Sequence, residues 1–558
     1  MNLKQIIPGI LNILEAKEKS KLAQLIIYDL VMGVLDVVFL GMMLVVINFY
    51  IRSQEPATLS FLPAALLNRN SLSFIGVFLV FFGLKNWLGY RNSGAQQDFF
   101  YGVASRLSKR NIQTYLKDDY LRFVNTDSSV LIRRISNQPI EFSNYILTNV
   151  QQVISQAILI LVTMAGVLLW HPDLFFMLLV LLLPPVVVLA NFIRNKLRAI
   201  RDNSRAVSQK VIQHLKESLE GYIESNVYRK DDFFVGRYHQ QQLQLNNNIA
   251  IQQTLQGLTS RLVEVFAIMG FFVLIAINKF SSGTPAVSLL TIGVFMAASY
   301  KIIPGIIKIL NSTSQIKTYS FNITDLQPAD KHIPIVDELV PLQSIFFDHV
   351  KFRYNSQYIL NNLTFKIKSG DFVGLSAASG KGKTTLIQLM LGFLKHHKGN
   401  ILFNDARTNW IKRQGFLSRV SYVKQQSFII NDTLARNITL SDEPYNLQRL
   451  QGVISFCGLD ELVNSYTDGV NEFIREHGKN ISGGQRQRLM LARALYHDFD
   501  LLILDEAFSE MDERSEREIL GQLKQLSREG KMLILITHNT GSLDFCDKVI
   551  TPNAAVYA

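Results

Sequence analysis

Charge is what this 558-residue chain has little of. Asp, Glu, Lys and Arg together make up 18% of it, against 48% hydrophobic residues. That leans toward the membrane. Cysteine is nearly absent too. Cys457 and Cys546 are the two in the chain, with no metal-like spacing. No disulfide framework or zinc site follows from them, and each thiol reads as a small core residue. No secretory leader is visible. The opening "MNLKQIIPGILNILEAKEKSKLAQ" has a short apolar stretch broken by Pro8, and no small-residue cleavage site follows it. Acidic residues are outnumbered, 45 against 57, for a net charge of +12. Membrane proteins concentrate Lys and Arg in cytoplasmic loops, so the excess reads as topology and not as a nucleic-acid partner.

What is there divides the chain in two. A helix needs roughly 20 apolar residues to cross the hydrocarbon core. Six stretches qualify when their flanks continue as helix: Leu25 to Phe49, Leu72 to Leu88, Val153 to Trp170, Leu174 to Ile193, Leu262 to Ile277 and Val287 to Ile303. The third and fourth join through His171-Pro172-Asp173. Long intervals follow the second and fourth, rich in helix formers and in basic residues such as Arg106, Arg110, Arg133, Arg205 and Lys216. The basic excess puts both intervals and both termini in the cytoplasm, and the intervals extend the membrane helices into it. Ile6, Ile10, Leu11, Ile13 and Leu14 share one face of a helix expected along the membrane surface. "SFLPAALL" (60–67) in the first outer loop reads as a surface helix or as an extension of the second span. Asp29 and Asp36 fall within the first span, Lys85 in the second, Glu264 in the fifth and Lys301 in the sixth. Ionisable groups at that depth face a cavity or a partner. Asp36, the deepest, is a candidate for lining a cavity or for an interhelical pair, whereas Lys85, Glu264 and Lys301 lie near helix ends and can snorkel.

After a polar linker containing "QPADKHIP", the chain reads as a soluble α/β domain. "GDFVGLS" is a strand, "KTTLIQLMLGFL" a helix, and the glycine-rich turn between them reads as a phosphate loop. Its residues Ser379, Gly380, Lys381, Gly382, Lys383, Thr384 and Thr385 suit a nucleotide phosphate cradle. Lys383 is placed to reach the β- and γ-phosphates and the Thr384 hydroxyl to hold Mg²⁺. The first glycine of the pattern is missing, and Ala377 stands there. At a strand-to-loop junction the change costs on the order of 1 kcal/mol if φ must be positive and almost nothing otherwise. Downstream, "DLLILDEAFSEMD" places Asp505 at the end of a buried strand, where it can bind Mg²⁺, with Glu506 beside it as a general base. Between them, "ISGGQRQRLMLARAL" supplies Ser482, Gly483, Gly484 and Gln485 at another anion-binding helix start.

Phosphate loop, SGGQ-type signature and aspartate–glutamate strand end, in that order, resemble the ATP-binding cassette (ABC) family. The resemblance covers about Ser344 to Ala558. It implies that Tyr354 stacks on adenine, that Gln425 is the Q-loop glutamine contacting Mg²⁺, that Asp512 contacts the opposite subunit, and that His538 is the switch histidine near the γ-phosphate. "IREHG", around Glu476, matches the loop that touches coupling helices in exporters. Ile481 replaces the usual leucine. A further strand and turn are expected after "DKVITPNAAVYA" in this family.

The resemblance thus implies an α-helical transmembrane domain of six spans, exporter type, fused to an α/β P-loop ABC ATPase domain. The expected boundaries are 1–21 for the surface helix, 22–312 for the transmembrane domain, 313–342 for the linker and 343–558 for the ATPase domain. ATP and Mg²⁺ are the expected cofactors. The expected partners are a second copy of the chain, membrane lipid and a lipid-like or lipid-linked substrate, with no nucleic acid. The expected setting is a bacterial inner membrane, ATPase domain inside. Alternating access by a homodimer is expected to move the substrate outward. Segments 118–138 and 216–238 resemble the exporters' cytoplasmic loops, whose short helices dock on the ATPase domain near Gln425. The first of these and the outer-surface helix resemble flippases for lipid-linked oligosaccharides. A general lipid, amphiphile or drug exporter and an ATP-gated regulator are the alternatives. The absence of an N-terminal protease domain disfavours leader-processing peptide exporters.

Overall fold

The computed structural model describes residues 3–51, 72–117, 120, 124–170, 172–280, 289–327, 340–354, 357–376, 382–407 and 415–551. The first outer loop and residues 377–381 of the phosphate loop, with Ala377, Ser379, Gly380 and Lys381, lie outside them. Two compact units form: Met1–Asp118 with Phe123–Asp330, and Asp119–Arg122 with Lys331–Ala558.

The first unit is helical. It comprises α1 (Leu3–Ile13), α2 (Ala16–Ile51), α3 (Ser73–Leu116), α4 (Thr148–Trp170), α5 (Pro172–Glu220), α6 (Tyr222–Tyr228), α7 (Asp231–Phe280), α8 (Leu289–Thr318) and α9 (Phe321–Asp325). Each expected span lies wholly or largely on one long helix. Among the described residues, three stretches are long and apolar enough to cross a membrane: Ala16–Met43, Ser73–Leu116 and Ser128–Leu169. The helices α3, α5 and α7 have 44, 49 and 50 residues. At 1.5 Å per residue they are about 65–75 Å long, more than twice a hydrocarbon core of about 30 Å. Such helices must project beyond a bilayer, as the basic intervals require.

Polar residues tie the helices together. Asp36 pairs with Lys85 of α3. That settles the two alternatives for Asp36 in favour of an interhelical pair and gives Lys85 a partner in place of a snorkelling role. Asp29 accepts four hydrogen bonds, from Asn92 (2.8 Å) and Gln96 (2.6 Å) on α3 and from Gln151 and Ser155 (2.8 Å each) on α4. Glu264 is exposed, and the Lys301 side chain lies outside the described residues.

The α1 helix departs from expectation. Its Ile6, Ile10 and Ile13, with Leu14 just beyond, are buried among Phe100, Leu107, Phe142, Ile323 and Leu326. The apolar face expected along a membrane surface is thus turned onto protein, and only Leu11 of the five residues stays exposed. Arg106 bonds Glu18 and the Ile13 carbonyl, fixing the turn that follows. Nearby, Arg133 is buried, with Glu141 at 3.0 Å and the Phe321 ring at 5.0 Å. Gln138 donates to Asp325 at 2.7 Å. These contacts anchor α9 ahead of the linker. The chain around them is wound as π-helix at Arg133–Asn137 and Phe142–Leu147.

The second unit has two main sheets. The antiparallel one is ordered β2-β1-β4-β5, from β1 (Ser344–Tyr354), β2 (Gln357–Lys368), β4 (Lys398–Phe403) and β5 (Ala406–Arg407). The parallel one runs β11-β3-β10-β9-β6, from β3 (Phe372–Leu375), β6 (Val420–Val423), β9 (Leu501–Asp505), β10 (Met532–Ile536) and β11 (Lys548–Ile550). A short pair, β7 (Asp432–Thr433) and β8 (Phe473–Ile474), completes the strands. Every residue of β9 and β10 is buried, as continuous apolar runs in a parallel sheet demand. Alternation then sorts them. Leu501, Ile503, Met532, Ile534 and Ile536 pack with α10 (Lys383–Met390) and the antiparallel sheet. Leu502, Leu504, Leu533 and Leu535 pack on the opposite face with α11 (Leu434–Thr439), α12 (Leu447–Phe456), α13 (Gly483–Tyr496) and α14 (Glu513–Arg528). Asp505 follows the odd-numbered set, so it ends β9 on the α10 face.

Candidate functional site

Parallel strands gather ligands at their carboxyl ends. Here β3 leads into the phosphate loop, β9 ends at Asp505 and β10 is followed within two residues by His538. Gly382 is the N-cap of α10 with φ 90°. A Cβ at that position would meet Ile359 Cγ2 at 2.9 Å, so both the backbone angle and the space require glycine. Lys383 begins the helix and is buried at 8% exposure. Its ammonium donates to Glu506 Oε1 at 3.2 Å and lies 2.6 Å from His538 Nε2. An ammonium has only donors, so Nε2 is the acceptor. Glu506 Oε1 is also 3.2 Å from Nε2, closing a triangle. Gln425 donates to the other carboxylate oxygen at 2.6 Å.

Glu506 adopts φ 51°, a left-handed conformation that costs a non-glycine residue about 1 kcal/mol. Its N–H donates to the Ile536 carbonyl at 2.9 Å, holding the turn against that cost. Strain of this kind gathers at functional sites. Asp505 is buried at 8% exposure. Burial pushes its pKa above the usual carboxylate range, the neighbouring Glu506 charge adds to this, and the Tyr422 hydroxyl and Lys383 oppose it. Tyr422 donates to Asp505 Oδ2 at 3.0 Å.

These groups fit a magnesium nucleotide. Thr384 is exposed at the start of α10, and with Asp505 and Gln425 it offers hard oxygen donors. A carboxylate destabilised by burial and by a like charge is one that a cation relieves. Thr385, by contrast, is buried within the helix.

Ser482 is the N-cap of α13. Its hydroxyl accepts from the Gln485 N–H at 3.2 Å, and the Gln485 side chain accepts from the Ser482 N–H at 2.8 Å. Gln485 thus builds the helix start, with Gly483 and Gly484 as its first turn. A Cβ on Gly483 would collide with the Glu510 carboxylate. Asp512 is the N-cap of α14, accepting from Ser515 at 2.9 Å, and Arg488 lies 3.5 Å from it. Tyr354 is 45% exposed, edge-on to Phe352 with ring centroids 4.9 Å apart. One face of a planar ligand can lie against it.

Two structural supports were not legible in the sequence. Tyr422 is one, since only strand register brings it to Asp505. Arg493 of α13 is the other. Its guanidinium donates to the carbonyls of Asn437 (2.6 Å) and Phe428 (2.7 Å), tying α13 to the segment after Gln425. Burial pushes its pKa down to about 10. Tyr120, from the first long interval, packs within this unit. Its ring stacks on Phe393 at 4.8 Å and its hydroxyl accepts from Gln388 at 2.9 Å.

Residues 360–509 match the family model for ABC transporters. The second unit holds an ABC transporter domain. An export ATP-binding/permease protein of Rickettsia prowazekii is 36% identical over 210 residues, spanning 37% of this chain and 36% of that protein. The match thus covers just over a third of that relative's length. An ATP-dependent lipid A-core flippase of Burkholderia pseudomallei is 25% identical over 385 residues, 66% of this chain and 63% of the relative. The solved structure of a bacterial Atm1-family ABC exporter with ATP bound aligns with TM-score 0.74 at 16% identity, covering 96% of this chain and 94% of that one. The fold of the helical unit plus the ABC domain is therefore that of an ABC exporter.

Proposed function

We propose that two copies of this chain form an ATP-driven membrane exporter or flippase for a lipid-like or lipid-linked substrate. The observation that carries the reading is the cluster of Lys383, Glu506, His538 and Gln425 at the ends of β9 and β10. Lys383 offers its ammonium to the terminal phosphates. Glu506 accepts the proton of the attacking water, its carboxylate held by the hydrogen bonds it already accepts from Gln425 and Lys383. Asp505, Thr384 and Gln425 would hold Mg²⁺, which supplies charge neutralisation at the phosphates. Tyr354 provides an adenine platform. The helix start at Ser482 to Gly484 and the Asp512 carboxylate serve the ATP of the second copy. The α6 tip buries none of its residues, and Tyr222, Val227 and Tyr228 are about 70% exposed. It is proposed to dock on the second copy's ABC domain, as Tyr120 docks on its own. ATP binds the closed pair better than the open pair, and that difference drives the helical halves between two states.

The flippase reading takes its substrate class from the name of the Burkholderia relative and from the apolar helical unit. The direction is outward from the cytoplasmic side of a bacterial inner membrane, with the ABC domain and both termini in the cytoplasm. The test uses Glu506→Gln in the full chain. It is expected to bind ATP normally and to lose turnover by about 10³-fold, the scale of a lost general base. Normal hydrolysis would refute the assignment of the base. Mass spectrometry of lipid retained by this variant, with and without ATP, then names the substrate. An isoprenoid-linked saccharide released by ATP supports the flippase. Bulk phospholipid unaffected by ATP supports a general exporter or a gated regulator.

A further inference from the structure

The nucleotide reading leaves one side chain at the metal carboxylate without a role. Tyr422 lies on β6, paired in parallel with β9, with Tyr422 opposite Ile503. Tyr422, Ile503 and Asp505 therefore share one face of the sheet, and the phenol extends along it toward the strand end. Its hydroxyl meets Asp505 Oδ2 at 3.0 Å. It is the one hydrogen bond recorded for the Asp505 carboxylate among the described residues. Because Asp505 is buried, a carboxylate without that donor would be free to rotate about its last torsion and would lose the group that compensates its desolvation.

We propose that Tyr422 is a positioning residue for the metal: its hydroxyl clamps Oδ2 so that Asp505 presents a fixed oxygen to Mg²⁺. The proposal rests on the Mg-nucleotide reading of the site. Outer partners of this kind orient metal-binding carboxylates, and their loss typically weakens metal binding about 10- to 100-fold. One neutral hydroxyl on an otherwise intact site puts the expected effect at the lower end. The surroundings of the tyrosine reach beyond the site. Tyr120 is close enough to contribute electrostatically to Tyr422, and Tyr120 is fastened to Gln388 and Phe393 of the same unit.

Tyr422→Phe keeps the ring and its packing and removes only the oxygen. The full chain in detergent is titrated with a non-hydrolysable ATP analogue, once with Mn²⁺ and once with EDTA. Electron paramagnetic resonance of the bound Mn²⁺ provides a readout independent of turnover. The variant is expected to bind the Mn²⁺-nucleotide about tenfold more weakly, with a broadened manganese spectrum. Metal-free nucleotide affinity should change less than about twofold and the melting temperature should stay within about 2 °C, as for a substitution that spares core packing. Unchanged Mn²⁺-nucleotide binding would overturn the proposal. Equal losses with and without metal, accompanied by a lower melting temperature, would overturn it too, because Tyr422 would then be merely structural. Failure of the wild-type chain to bind nucleotide at all would instead sink the ABC reading on which the proposal rests.

Discussion

The two units keep their charged groups in different ways. In the ABC domain, Lys383, Glu506, His538 and Gln425 converge on one another at a strand end open to a ligand. In the helical unit, Asp29 spends both oxygens on Asn92, Gln96, Gln151 and Ser155, and Asp36 is consumed by Lys85. The first arrangement is poised for chemistry and carries strain at Glu506. The second is satisfied and holds helices together. An ionisable residue in an apolar segment is thus not by itself a substrate contact. Its hydrogen-bond partners decide.

That contrast can be broken by mutation. The largest stability effect belongs to Asp29→Ala, which strands four donors on two neighbouring helices. A loss of about 3 kcal/mol is expected, read as a lower melting temperature of the full chain in detergent, with nucleotide affinity unchanged. Little loss of stability would mean that Asp29 is held for a ligand and not for the fold. Asp505→Asn should act in the opposite sense. The pKa of Asp505 is raised on folding, so its charge costs stability at any pH above the ordinary carboxylate range. The penalty fades as pH falls and the carboxyl takes its proton. The asparagine variant should therefore be more stable than the wild type near pH 8. That gain should vanish toward pH 4, while Mg-dependent nucleotide binding is lost at every pH. A drop in stability at pH 8 would show that Asp505 is a structural residue like Asp29. The smallest effect is expected from Ala377→Gly, since a positive φ at that position, if the loop requires one, costs alanine only on the order of 1 kcal/mol. ATPase activity should change less than about tenfold. A larger gain would mean that the natural loop impairs the site.

Much of this was legible in the sequence. The six apolar runs lie along long helices, and the Gly382-Lys383-Thr384, SGGQ and Asp505-Glu506 motifs sit at helix starts and a strand end. Local chemistry explains that legibility: phosphate cradles need glycine and helix N–H groups in consecutive residues. The α1 helix shows the other side. Its 3.6-residue apolar stripe was readable, but an amphipathic face does not say what it meets, and here it meets Phe100, Phe142 and Ile323.

The sequence by itself determined the helices, the buried parallel strands and the identity of the residues around the phosphate loop. Periodicity, turn chemistry and short motifs act within a few residues and need no knowledge of distant chain. Only the tertiary structure decided which polar groups became partners. Asp36 found Lys85 across 49 residues, Glu506 found Gln425 across 81, and Tyr422 found Asp505 across 83. Those pairings depend on helix packing and strand register, which place side chains within hydrogen-bond reach without leaving a local pattern in the chain.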